Sequence, residues 1–373
     1  VPPGGRGILL IAGTALILVH LGASQARAQM EVPDARDSVS LGKLSLTGYP
    51  YIFYSPETEF AIGGALIFSM RTDVDPHTKA SNAMLSGYYS EKGSYDLFLN
   101  PEVFLVGEKY YITASIDYYR FVDKFWGIGD QTPDIDSAGY VRNALWTNIE
   151  VDVSIYGALK LGVNYDLNYT SAIDKQSNPY LLAGDLTGSE GGVSSGVGLV
   201  LFVDTRNNAF SPSEGGSYKL SMLNAAPYFG SKFTFTRWIL DARHYTALSN
   251  SIVLALQGYG SIVAGSPPFY MFPALGGDNI MRGYYEGRFR DKIYWAAQAE
   301  FRVRLTHRWG FVAFAGAGDV SGDFPGFRLK DIKPSFGLGV RFMLDTDELL
   351  NVRADFARGR DTDGLYFNAK EAF

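Results

Sequence analysis

The residues best placed to do chemistry in this chain are Met281, Arg282, Gly283 and Tyr284, inside the run LGGDNIMRGYYEGRFRD at 275–291. A guanidinium stays charged and presents five donors in a planar fork, so its chemistry is ion pairing with carboxylates rather than proton transfer. Withdrawn from water it needs an acid; left in water it is an ordinary loop charge. Catalysis has no comparable foothold, because the sequence contains no H-E-x-x-H and no phosphate-binding loop. Cysteine is absent, and His20, His77, His244 and His307 are scattered. The chain therefore reads as a non-enzyme without cofactor or metal.

The segment 266–291 around Arg282 has neither helix nor strand periodicity. Structureless loops beyond about 15 residues are usually functional or disordered. Disorder is a poor fit to Phe269, Tyr270, Met271, Phe272, Ile280, Met281, Tyr284, Tyr285 and Phe289, which demand burial. The loop is expected to fold back onto the elements that flank it.

Those elements are strands. Leu145, Thr147, Ile149, Val151, Val153 and Ile155 alternate with Trp146, Asn148, Glu150, Asp152 and Ser154. Past the loop, Ile293, Trp295, Ala297, Ala299, Phe301, Val303 and Leu305 alternate with Lys292, Tyr294, Gln298, Glu300, Arg302 and Arg304. Runs of this kind predict strands at 47–54, 58–71, 79–90, 94–105, 109–121, 142–156, 158–170, 194–204, 215–225, 231–247, 250–264, 292–305, 309–319, 335–345, 348–358 and 364–373. Mid-strand charges keep to one face. In a soluble sandwich the apolar faces must meet in a dry core, whereas in a bilayer barrel the polar face is the lumen.

Composition favours the barrel: no Cys, 24 Tyr, 25 Phe and 42 Gly, with near-neutral mean hydropathy of −0.03. An even strand number also suits a bacterial barrel. The expected fold is all-β, a 16-stranded antiparallel transmembrane β-barrel with the long extracellular loop folded into the lumen. Residues 1–28 read as a signal peptide, with Arg6, an apolar stretch Gly7 to Ala23 and Ala26-Arg27-Ala28 before the cleavage point. Residues 29–46 form a short periplasmic segment and 47–373 the barrel, placing the protein in the bacterial outer membrane. A net charge of −6 gives no support to nucleic-acid binding.

Four places resemble the outer-membrane assembly and translocation barrels of the BamA/TamA superfamily, the bacterial surface antigen family. Met281-Arg282-Gly283-Tyr284 is similar to its loop motif. Asp204-Thr205-Arg206, followed by Pro212 and Gly215, is similar to its D-T-R turn. Phe314-Ala315-Gly316-Ala317-Gly318-Asp319 resembles its F-x-D-x-G stretch, with Gly316 where aspartate is usual. Leu365, Phe367, Ala369 and Phe373 share one face, interrupted by Glu371, and resemble the signal by which the barrel assembly machinery recognises such barrels.

In that family acidic and aromatic groups inside the barrel hold the loop arginine. With Gly316 in place of the acid, Glu300 becomes the expected partner of Arg282, beside Phe314, Gly316 and Gly318. The lumen charges Arg237, Asp241, Arg243, Arg302, Arg304, Arg341, Arg353 and Asp355, with Glu150 and Asp152 opposite, read as a salt-bridged seat for the loop; the alternative is an ion-selective pore. The resemblance implies insertion or translocation of outer-membrane proteins by a barrel-only member lacking periplasmic POTRA domains. Its implied partners are outer-membrane lipid, client outer-membrane proteins and a separate periplasmic partner. A passive channel plugged by 265–291 and a structural surface antigen are the other readings.

Overall fold

In a computed structural model the chain is described over residues 44–373, except 72–77, 79, 209 and 346–348. The expected leader, and the segment after it as far as residue 43, lie outside the described residues. Strands β1 (Ser45–Ser55), β2 (Glu59–Met70), β3 (Ser81–Ser90), β4 (Tyr95–Leu105), β5 (Tyr110–Lys124) and β6 (Gly139–Tyr156) follow in order. Next come β7 (Leu159–Asp174), β8 (Gly192–Asp204), β9 (Gly215–Ala225), β10 (Thr234–Ser249) and β11 (Ile252–Ser266). A two-residue ladder inside the long loop contributes β12 (Ala274–Leu275) and β13 (Phe289–Arg290). The wall resumes with β14 (Ile293–Arg304), β15 (Trp309–Ser321), β16 (Lys333–Asp345), β17 (Leu350–Arg358) and β18 (Asp363–Ala369).

Each wall strand pairs antiparallel with the next, and β18 returns to β1, so sixteen strands close a ring. The pleat explains why these sequences form it: Leu99, Ile116, Val151, Leu161, Leu201, Leu240, Phe301, Leu338 and Phe356 are exposed, while the polar residues that alternate with them are buried or half-buried. Apolar-out and polar-in is the pattern of a bilayer wall. Among the described residues, no helix is long and apolar enough to cross a membrane.

Closure is uneven. β1 and β2 share eleven residue pairs from Ser45↔Ser69 to Ser55↔Glu59, but β1 meets β18 only at Tyr54↔Phe367. Pro50, in β1, has no N–H to give to either neighbour.

The last expected strand runs too far. β18 stops at Ala369, and Lys370 takes φ 65°, turning 370–373 away from the wall. Leu365 faces outward, but Phe373 is buried beside Tyr245 and Ala255. Phe373 therefore leaves the apolar face expected for it with Leu365, Phe367 and Ala369: a left-handed residue breaks the alternation that would have carried it there.

Candidate functional site

The Arg282 loop enters from β11 and leaves into β14, and two hydrophobic clusters hold it. At its near end Phe269, Tyr270 and Met271 pack with Phe125, Tyr140, Phe233, Phe235 and Val263. At its tip Leu275, Ile280, Met281 and Tyr284 pack with Tyr259, Tyr294, Ala296 and Val320. Gly129 N–H donates to Arg290 O at 2.8 Å, tying the loop's end to the β5–β6 connection. The apolar residues that excluded disorder are the ones that dock the loop.

The motif itself has an uncommon backbone. Met281 has φ 58° and Gly283 φ 98°, bracketing Arg282 so that it projects toward the wall. A Cβ on Gly283 would lie 2.8 Å from the carbonyl carbon of Arg358 and from Gly359 N, so only glycine fits. Gly283 N–H donates to Tyr366 Oη at 2.9 Å. Tyr284 Oη donates to Pro334 O at 2.8 Å and accepts from Arg360 N at 2.7 Å.

Arg282 is fully buried, pairing through Nη2 with Glu300 and through Nη1 with Asp355 at 2.5 Å. Its guanidinium carbon lies 3.6 Å from the Phe314 ring centroid. Its carbonyl accepts from Ser335 Oγ. Gly318 makes room for Met281, since a Cβ there would be 3.3 Å from its sulfur, while one on Gly316 would crowd Gln298 Cβ at 3.0 Å and meet the same sulfur at 3.5 Å. A glycine thus stands where the resemblance led one to expect an aspartate, and the acids come from β14 and β17.

Around this pair lies a neutral network. Arg302 Nε donates to Glu300 at 2.9 Å, Arg341 pairs with Asp355 and, at 2.7 Å, with Glu371, and Arg353 reaches Asp355 at 3.2 Å and Asp278 at 3.4 Å. Arg282, Arg302, Arg341 and Arg353 thus face Glu300, Asp355, Glu371 and Asp278, four charges of each sign. Elsewhere on the inner face Arg243 pairs with Asp241 at 2.6 Å and Lys219 with Glu150 at 2.9 Å.

Outside the membrane-spanning strands, burial raises the carboxyl pKa of Glu57 and of Asp278 above the usual range. Glu57, in the β1–β2 turn, accepts from Glu286 N at 2.8 Å. The loop is therefore tied to the strand that begins the ring as well as to those that end it.

The structure brings Met281, Arg282, Gly283, Tyr284, Glu300, Phe314, Gly316 and Gly318 together. It does not bring the D-T-R turn to them. Asp204 to Gly215 close the β8–β9 connection at the opposite rim, as strand direction requires. Asp204 pairs with Arg206 at 2.6 Å, Thr205 N–H donates to Gly216 O at 2.8 Å, and Pro212 is buried. Gly215 has φ 86°, and a Cβ there would sit 2.0 Å from Thr205 O. This turn is a structural closure, and it reaches the end of the barrel wall: Lys370 Nζ lies 5.0 Å from the Phe210 ring centroid and Asn351 Nδ2 3.4 Å from Ser211 Oγ. Phe367, at the single seam pair, is half-buried.

Sequence reasoning did not single out Tyr366, Ser335 or Glu371 for this site, and it placed Asp355 among the charges of the loop's seat without pairing it with Arg282. Strand alternation put Asp355 inside, but nothing in sequence spacing tells which interior acid lies beneath a loop.

A family model for the Omp85 superfamily domain matches residues 90–373. The chain belongs to the Omp85 superfamily and is a bacterial outer-membrane barrel of that type. The barrel is similar to the crystal structure of BamA from Haemophilus ducreyi lacking POTRA domains 1–3, with TM-score 0.61 and 13% identity over 88% of this chain and 70% of that one. It is also similar to CdiB from Acinetobacter baumannii, with TM-score 0.58 and 14% identity over 87% of this chain and 59% of that one. CdiB from Escherichia coli gives TM-score 0.57 and 11% identity, over 88% of this chain and 64% of that one. The chain thus spans less than two thirds of either CdiB chain. No curated protein sequence matches it significantly.

Proposed function

We propose that this barrel inserts or translocates other outer-membrane proteins at the seam between β1 and β18, without enzymatic chemistry. The observation that carries this reading is the single residue pair Tyr54↔Phe367 that joins the two strands. Unpaired strand edges template incoming strands, and here the edge is built into the wall, facing lipid. Clients are delivered by a separate periplasmic partner, and the chain reaches the membrane through a leader at residues 1–28. The paired charges of the interior argue against a passive selective channel, which uses rings of one sign.

The test is a disulfide between Tyr54→Cys and Phe367→Cys, in a chain that has no cysteine of its own. Oxidation is expected to lower the abundance of other outer-membrane barrels as depletion of the protein does, and reductant to restore them. Unchanged barrel levels with a fully crosslinked seam would overturn the proposal.

A further inference from the structure

The charges around Arg282 form a closed circuit. Arg282 pairs with Glu300, and Glu300 with Arg302 at 2.9 Å. Arg302 lies 3.9 Å from Glu371, which lies 2.7 Å from Arg341. Arg341 pairs with Asp355, which returns to Arg282 at 2.5 Å. Four members sit on β14, β16 and β17. The other two are not in the wall: Arg282 comes from the loop at one rim, and Glu371 from the segment that follows β18. Their side chains are at most 8% exposed.

Glu371 is held where the circuit needs it. Lys370, in its left-handed conformation, turns the chain inward and donates its N–H to Asn351 O at 2.7 Å. Asn351 Nδ2 donates to Glu371 Oε1 at 2.9 Å, and Arg302 Nη2 donates to Phe373 O at 2.6 Å. Ala372 and Phe373 pack on Tyr245 and Ala255, on β10 and β11. Residues 370–373 thus form a strap from the seam strand to the far side of the same charge cluster that seats the loop.

We infer that this circuit couples the two segments: docking of Arg282 fixes Glu371 and the end of β18, and withdrawal of the loop loosens both. Removing one charge from a buried network leaves its neighbours uncompensated. Arg282 and Glu371 are three links apart along either arc, so the penalty at one is felt at the other. Coupling of this kind is reciprocal, and it holds whether or not the barrel handles clients.

The test uses the full chain in detergent or liposomes, with thiol-labelling rates at buried probes Ile280→Cys in the loop and Ala372→Cys in the strap. Glu371→Gln should speed labelling at Ile280→Cys, and Arg282→Lys should speed labelling at Ala372→Cys, each about fivefold or more. Glu190→Gln, which removes an exposed pair with Lys175, should change neither rate. Only molecules with the compact gel mobility of a folded barrel are scored. If Glu371→Gln does not assemble, Asn351→Ala, which removes one hold on Glu371, takes its place with the same expected sign. Acceleration confined to the mutated segment, in both directions, would overturn the coupling.

Discussion

Arg282 lies over the face of Phe314, its guanidinium carbon 3.6 Å from the ring centroid, while its edge is occupied by Glu300 and Asp355. The ring takes the face of the cation and the carboxylates its edge. Lysine, a point charge, meets neither demand fully.

The Arg282 and Glu300 substitutions should be strongly non-additive. Arg282→Ala alone is expected to cost about 3–5 kcal/mol, because it strands buried carboxylates. Arg282→Ala with Glu300→Gln should cost clearly less than the sum of the single changes, by about 1–3 kcal/mol. Urea unfolding of the refolded barrel measures this cycle, and simple additivity would dismiss the pairing as energetically idle.

Gly283→Ala should unseat the tip of the loop although it adds one methyl group. The new Cβ meets the Arg358–Gly359 peptide at 2.8 Å, and φ 98° is strained for any L side chain. A cost of about 1–3 kcal/mol is expected, with faster proteolysis between residues 276 and 290. A protease-resistant loop in this variant would contradict the tight approach.

Gly316→Asp, which restores the acid usual in the family, should destabilise this barrel. The added side chain would start 3.0 Å from Gln298 Cβ and 3.5 Å from Met281 Sδ. Overpacking typically costs about 1–3 kcal/mol, and Met281→Ala should recover part of it. The comparison to make is the urea midpoint of the single and double variants; a more stable Gly316→Asp would mean that the acid is missing rather than displaced.

Glu57 should make loop docking depend on pH. Burial raises its folded pKa above the unfolded value of about 4.3. Its contribution is thus fully present below that value and is lost as pH rises through the folded one. Glu57→Gln keeps a carbonyl for Glu286 N and has no proton to lose. It should raise the urea midpoint at pH 8 and leave it nearly unchanged at pH 4. A lowered midpoint at pH 8 would mean that the ionised carboxylate is what holds the loop.

Much of the wall was legible because period-two alternation is a direct consequence of a two-sided sheet. Expected and observed β9 both run from residue 215 to 225, since Gly215 and Ala225 bound an unambiguous run. Alternation failed at the end, where Ala369 and Phe373 prolong an apolar pattern that Lys370 has already ended. Glu371 looked like an interruption because the strand was assumed to continue; once the chain turns inward, it is an interior carboxylate. Arg282 and Glu300 were singled out through motif and face, but the tertiary fold alone shows that Asp355 shares the arginine.

The loop's polar seat has a bearing on the order in which the barrel is built. The groups that bind Arg282 and Gly283 are Glu300, Phe314, Ser335, Asp355 and Tyr366, all of them later in the chain than the loop. The C-terminal strands can therefore gather around the motif as a local unit, at low cost in loop closure. Phe269 and Tyr270, by contrast, wait for β5 and β6 to supply Phe125 and Tyr140. Ring closure at Tyr54 and Phe367 joins the first strand to the last, so neither set of loop contacts requires the wall to be continuous before it forms.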